Sequence, residues 1–120
     1  MTERRNMATE CIFCRIAKGK SPAEIEYEDP EVIGFWDIHP KAPVHILIIP
    51  KVHIESVEEI QESDFKILGK MFLAARSIAH KKQLTDDGFR LVINYGKNSG
   101  MAVEHLHLHL LGGKPLGNMA

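Results

Sequence analysis

Three histidines within one seven-residue segment, His105-Leu106-His107-Leu108-His109-Leu110-Leu111, are the residues of this chain best placed to do chemistry. A strand sends alternate side chains to opposite faces. Read that way over 105–111, His105, His107 and His109 share one face, and Leu106, Leu108 and Leu110 share the other. The leucines are expected to bury themselves beneath a helix, and the imidazoles to face a cleft or solvent. Same-face neighbours on a strand lie about 6.6 Å apart, too far for every ring to bond the next directly. Three rings with different roles around one ligand suit that spacing. Two chemistries fit: metal binding through neutral imidazole nitrogens, or attack on phosphorus by an unprotonated imidazole, with water later cleaving the covalent adduct. Just upstream, the segment 95–100 holds Gly96, Asn98, Ser99 and Gly100. It reads as a loop whose backbone N–H groups can approach an anion closely.

The chain has two cysteines, Cys11 and Cys14. In a reducing compartment they read as a metal or redox pair rather than a disulfide. A thioredoxin-type motif wants a preceding strand and a βαβ context, and neither is present. Tetrahedral zinc would need two further ligands.

The elements that must position these groups are legible from pattern. Ile12, Phe13, Ile16 and Ala17 have helical spacing, and Gly19 with Pro22 supplies a stop, so 12–17 is a short helix. Strands are expected over 25–28 and 32–38, joined at Asp29-Pro30. Val32, Gly34 and Trp36 would then share one face, and Ile33, Phe35 and Asp37 the other. The β-branched run 44–49, closed by Pro50, should be a central strand. Ser63 is the expected N-cap of one long helix ending near Lys82, with Asp64 in its first turn. Its apolar face combines Phe65, Leu68, Phe72, Ala75 and Ala79 with Ile67, Met71, Ala74 and Ile78. Asp86-Asp87-Gly88 is turn chemistry. A strand over 89–94 and the histidine strand follow, and Gly112-Gly113 ends the latter. This order fits an α+β domain with an antiparallel sheet better than repeated β-α-β units.

A length of 120 residues allows one compact domain, with 44% hydrophobic and 26% charged residues in ordinary globular proportion. Residues 1–9 read as a flexible tail and 10–120 as the domain. A net charge of −1 argues against broad binding to nucleic acid or to an anionic membrane, while leaving room for one anion pocket. No apolar run is long enough to span a membrane, and the charged start has no apolar run behind it, so a cytoplasmic location is expected.

The pattern His-x-His-x-His-x-x, filled by His105, His107, His109 and two leucines, resembles the signature of the histidine triad (HIT) family. The resemblance extends to Cys11-Ile12-Phe13-Cys14-Arg15-Ile16 and to the segment from Phe35-Trp36-Asp37-Ile38-His39-Pro40 through Lys41-Ala42-Pro43-Val44-His45. Ile48-Ile49-Pro50-Lys51 and Leu111-Gly112-Gly113-Lys114-Pro115-Leu116-Gly117 are similar to its nucleotide-binding (HINT) branch. The resemblance implies a homodimer whose two five-stranded sheets join, and hydrolysis of purine nucleoside phosphoramidates or related conjugates of AMP or GMP. The alternatives are a nucleotide-binding adaptor or sensor of low turnover, or a metal-dependent hydrolase with the three triad histidines as ligands.

Carried over by motif, His107 is the implied nucleophile, supported by His109 and His45. Asn94 and Gly100, with His107 and His109, would lie at the phosphate. Asp37 would accept the ribose hydroxyls, and Ile12, Phe13, Ile16, Phe35 and Ile38 would wall the base pocket. No metal is implied at phosphorus. Some family members with this cysteine pair bind a structural zinc, and the resemblance implies Cys11, Cys14, His53 and His105 as the matching ligands here. One departure stands out: where the branch often has Gln followed by a polar residue, this chain has Met101 and Ala102.

Overall fold

The structure, a computed structural model, describes residues 11–119; the expected tail over 1–9 lies outside the described residues. The elements in chain order are α1 (Ile12–Ala17), β1 (Ile25–Glu28), β2 (Val32–Trp36), β3 (Val44–Pro50), α2 (Phe65–Lys81), β4 (Phe89–Val92) and β5 (Leu108–Gly112). The strands make one five-stranded antiparallel sheet in the order β1-β2-β3-β5-β4. The described residues thus have the expected α+β architecture, with one long and one short helix among them. No helix among the described residues is long and apolar enough to cross a membrane.

β3 is central because its β-branched run can be buried on both sides, and every residue from His45 to Pro50 is buried. On one face, α2 lays Met71, Ala74, Ala75, Ile78 and Ala79 against Val32, Ile46, Ile48, Leu106, Leu108 and Leu110. The small alanines let the helix approach the sheet. At Gly34 the approach is tight: a Cβ there would stand 3.1 Å from Ile78 Cδ1. On the opposite face, Ile33, Phe35, Leu47 and Ile49 pack under Phe13 and Ile16 of α1. α1 ends early because Gly19 adopts a left-handed φ of +74°. The Gly19 N–H donates to Ile16 O at 3.0 Å and the Lys20 N–H to Arg15 O at 2.8 Å, a Schellman ending. So short a helix covers only part of its face, and the surface over β3, β5 and β4 is left as a cleft.

The structure departs from the expected boundaries at several points. Ser63 is not the N-cap. A 3-10 turn, Glu62–Asp64, precedes α2, and the Gln61 N–H donates to Asp64 Oδ2 at 2.9 Å; a carboxylate is the stronger acceptor for such an orphan donor. Phe65 and Phe72 are 64% and 49% exposed; of the stripe that holds them, only Leu68, Ala75 and Ala79 pack on the core. β2 ends at Trp36 rather than at residue 38, since Asp37 Oδ1 accepts the His39 N–H at 2.8 Å and turns the chain. β4 ends at Val92, two residues short of the expected end. β5 begins at Leu108 rather than at residue 105, because the Leu106 N–H donates to Ile54 O at 2.6 Å and leaves the ladder.

Candidate active site

The histidines alternate as expected even where the strand has not begun. Leu106, Leu108 and Leu110 lie in the core beneath α2, and the histidines lie on the opposite side. They do not all face one space. His105 is fully buried beside the cysteines with which the resemblance groups it, and not in the cleft or solvent that alternation alone implies, while His107 and His109 line a cleft of about 520 Å³.

Strand register brings His45 to His109. Leu47 pairs with His109 and His45 with Leu111, so the two imidazoles are diagonal neighbours on one face. Hydrogen positions follow from their partners. The Lys41 backbone N–H donates to His45 Nδ1 at 3.1 Å, so the hydrogen of a neutral His45 sits on Nε2. That Nε2 donates to His109 Nδ1 at 2.9 Å, which leaves the hydrogen of His109 on its Nε2. Burial keeps both rings neutral. It pushes His109 down to about 4, with His107 and His45 adding to the effect, and it pushes His45 below its ordinary value against the pull of Asp37. Asp37 Oδ2 lies 3.5 Å from His45 Nε2.

His107 is held differently. Its Nδ1–H donates to the backbone carbonyl of His105 at 2.6 Å, so the free electron pair is on Nε2. The ring is fixed on its flanks by Phe13, edge-on at 5.3 Å between centroids, and by His109 at 5.0 Å. In its neutral form a ring held this way presents the lone pair of Nε2, which is what nucleophilic attack requires.

Of the residues expected at the site, Phe13, Asp37, His45, Asn94, Gly100, His107 and His109 line the cleft together. Ile12, Ile16, Phe35 and Ile38 do not. Phe35 packs edge-on against Phe13 at 5.4 Å, and it is Phe13 that meets the cleft. Ile16 is buried with Phe35 in the core beneath α1. Ile12 faces outward from its helix, and Ile38 is 85% exposed. Ser99 comes from the glycine loop expected near the anion, whereas His39, Lys41, Leu47, Val92 and Leu111 also line the cleft and are not expected there. Period-two alternation gave a usable signal for three of these: Leu47 shares a face with His45, Leu111 with His109, and Val92 with Asn94. Met101 and Ala102, noted as departures, form part of the wall.

Behind the cleft, Cys11, Cys14, His53 and His105 bring one ligand atom each within 4.8 Å of one another. His105 Nδ1 lies 3.4 Å from Cys11 Sγ and 3.5 Å from Cys14 Sγ, and His53 Nδ1 lies 3.4 Å from Cys14 Sγ. A tetrahedral zinc with Zn–S of about 2.3 Å and Zn–N of about 2.05 Å would separate S from N by about 3.5 Å. The donor set fits. His105 Nε2–H donates to Pro50 O at 2.8 Å, which turns Nδ1 and its lone pair toward the sulfurs. Burial, then the neighbouring Cys11, pushes the Cys14 thiol up to about 11, so in the absence of a cation it stays protonated. The triad histidines themselves do not converge on a point. His105 belongs to this cluster, whereas His109 groups with Asp37 and His45.

Comparison with known proteins supplies the family context. The family model described as "Scavenger mRNA decapping enzyme C-term binding" matches residues 10–118. A purine nucleoside phosphoramidase of Escherichia coli (strain K12) is 43% identical over 113 residues, which is 94% of this chain and 95% of that protein. Among solved structures, a histidine triad protein from Clostridium difficile is similar with a TM-score of 0.89 and 40% identity, covering 93% of this chain and 97% of that one. A HIT family hydrolase from Legionella pneumophila Philadelphia 1 is similar with a TM-score of 0.87 and 41% identity, covering 89% and 96%.

Proposed function

This chain belongs to the histidine triad (HIT) family, and on that premise we propose that it hydrolyses nucleoside phosphoramidates, with purine nucleosides preferred, through a nucleotidyl adduct on His107. The observation that carries the reading is the 2.6 Å bond from His107 Nδ1–H to the His105 carbonyl, since it leaves Nε2 as the attacking atom.

Nε2 forms a bond to phosphorus as the bond to the leaving nitrogen breaks. That nitrogen keeps the electron pair, takes up one proton and departs as the amine. Water then adds at phosphorus and gives up a proton, and the phosphorus–Nε2 electrons return to His107. His109 Nε2–H is the donor we assign to the phosphoryl oxygens and the departing nitrogen, with His45 holding its tautomer. Asn94 and the N–H groups near Gly100 complete the phosphate site. Asp37 takes the ribose, and the base lies against Phe13 and covers the exposed Ile38 and Ile12.

We assign a structural zinc to Cys11, Cys14, His53 and His105 on the strength of the donor spacing. When bound, the ion would cross-link α1 to the segments carrying His53 and His105; it takes no part at phosphorus. We further assign one domain over 10–120, a cytoplasmic location, and a homodimer. The dimer is supported by the exposed Phe65, Phe72 and Leu73 on α2 and Phe89 on edge strand β4.

A hydrolysis screen tests the activity. Adenosine and guanosine phosphoramidates should release their monophosphates faster than acyl phosphates or dinucleoside polyphosphates do. Tight AMP binding with no turnover of any substrate would instead favour the adaptor or sensor, the reading that the apolar Met101-Ala102 wall keeps in view.

A further inference from the structure

His105 has two ends with two jobs. Its ring is buried among Cys11, Cys14 and His53, with Nδ1 3.4 Å and 3.5 Å from the two sulfurs. Its Nε2–H is tied to Pro50 O at the end of β3, 2.8 Å away. Its backbone carbonyl is the acceptor that holds His107 Nδ1–H at 2.6 Å. No strand ladder holds this residue, because β5 begins only at Leu108. The orientation of the carbonyl therefore depends on how the ring and the adjacent Leu106 N–H are anchored. Phe13 adds a second connection. It lies between the two cysteines on α1 and meets both rings edge-on, His105 at 5.9 Å and His107 at 5.3 Å between centroids.

We propose that His105 is a positioning residue through which the Cys11-Cys14-His53-His105 cluster, loaded with a tetrahedral cation, fixes the tautomer and aim of the His107 nucleophile. The proposal rests on the role of His107 given above. A cluster that served only to hold the fold together would affect stability and substrate binding alike. A cluster acting through the His105 carbonyl affects the chemical step, because a His107 freed from that carbonyl can move its hydrogen to Nε2 and lose its lone pair toward phosphorus.

The test uses the full chain in three forms: stripped with a chelator, reloaded with one equivalent of Zn(II), and as the variants His53→Asn and Cys14→Ser. Ring-nitrogen NMR reports which nitrogen of His107 carries the hydrogen, and steady-state kinetics separate kcat from KM. The loaded protein should show a single Nδ1–H tautomer at His107. Stripping the metal, or either substitution, should give a mixture of tautomers and lower kcat by about 10- to 100-fold, the usual worth of such a supporting contact. KM should move by less than about twofold. Zn(II) should restore the stripped wild type and neither variant.

Three outcomes overturn the proposal. One is Zn(II) that fails to bind, or binds without changing the tautomer. Another is a broken cluster with an unchanged kcat. The third is a loss of kcat and KM together with the folded spectrum, which would mark a purely structural site. If the variants do not fold, the stripped and reloaded wild type decides alone. If the wild type cleaves no phosphoramidate, the activity assignment falls, while the NMR comparison still settles the coupling.

Discussion

His45 and His109, 64 residues apart in the chain, meet through a 2.9 Å bond between Nε2 and Nδ1. The bond exists because β3 and β5 pair in a register that sets Leu47 opposite His109. Its role is to keep the hydrogen of His109 on the nitrogen left for the cleft. Replacing His45 by Ala should release that tautomer, lowering kcat by about 10- to 100-fold with little change in KM. Equal rates for His45→Ala and wild type in steady-state assays would remove His45 from the mechanism.

Acid should weaken the fold in two separate steps. Burial holds His109 at about 4, whereas an unfolded histidine sits near 6.5. As pH falls, the unfolded chain takes the proton first. This contribution is therefore complete above about pH 6.5 and is lost between there and about pH 4. Urea unfolding measured across that range should show stability rising with pH, and His109→Asn should reduce the slope by about one proton. An unaltered slope in the variant would show that His109 titrates normally in the fold.

Glu26 governs the lower step. Burial alone would raise its pKa, but bonds from Lys81, Trp36 and Lys82 outweigh burial and bring it down to about 2. Lys81 Nζ and Trp36 Nε1 each lie 2.9 Å from its carboxylate, and Lys82 Nζ lies 3.1 Å away. The group ties the C-terminal end of α2 to β1 and β2. Its contribution is present above about pH 4.5 and disappears toward pH 2. At neutral pH, Glu26→Gln should cost about 1–3 kcal/mol of unfolding free energy; a midpoint unchanged in denaturant would contradict the role of this cluster.

The wall formed by Met101 and Ala102 invites a gain-of-contact experiment. The double change Met101→Gln, Ala102→Ser should raise kcat/KM for leaving groups that can hydrogen-bond beside the scissile bond, by roughly 2- to 10-fold, the net worth of one such bond. Plain alkylamine leaving groups should respond less. A uniform change across both sets would place these residues away from the leaving group.

Much of this molecule could be read from pattern alone, and the exceptions have physical causes. Period-two alternation was enough to separate Leu106, Leu108 and Leu110 from the histidines, and β-branching was enough to make 44–49 central. Alternation gives a side of the chain and not a destination. It could not tell that His105 enters a cysteine cluster while His107 enters a cleft, since that depends on Ile54 and Pro50, more than fifty residues away, capturing Leu106 N–H and His105 Nε2–H. Resemblance of motif has the same limit where it implies Phe35 and Ile16 at the base pocket. A hydrophobic residue on the correct face can still be covered, and Phe13 covers Phe35. Ser63 was a sound N-cap by type, but the carboxylate of Asp64 took up the preceding N–H first.

The most direct test is mass analysis of protein quenched during turnover of adenosine phosphoramidate. Nucleophilic attack by His107 predicts an adduct of one adenylyl mass on that residue, formed and discharged fast enough to carry the turnover. His107→Ala should form no adduct and lose activity by about 10⁴-fold or more while still binding AMP. An adduct on another residue, or normal turnover by His107→Ala, would contradict it.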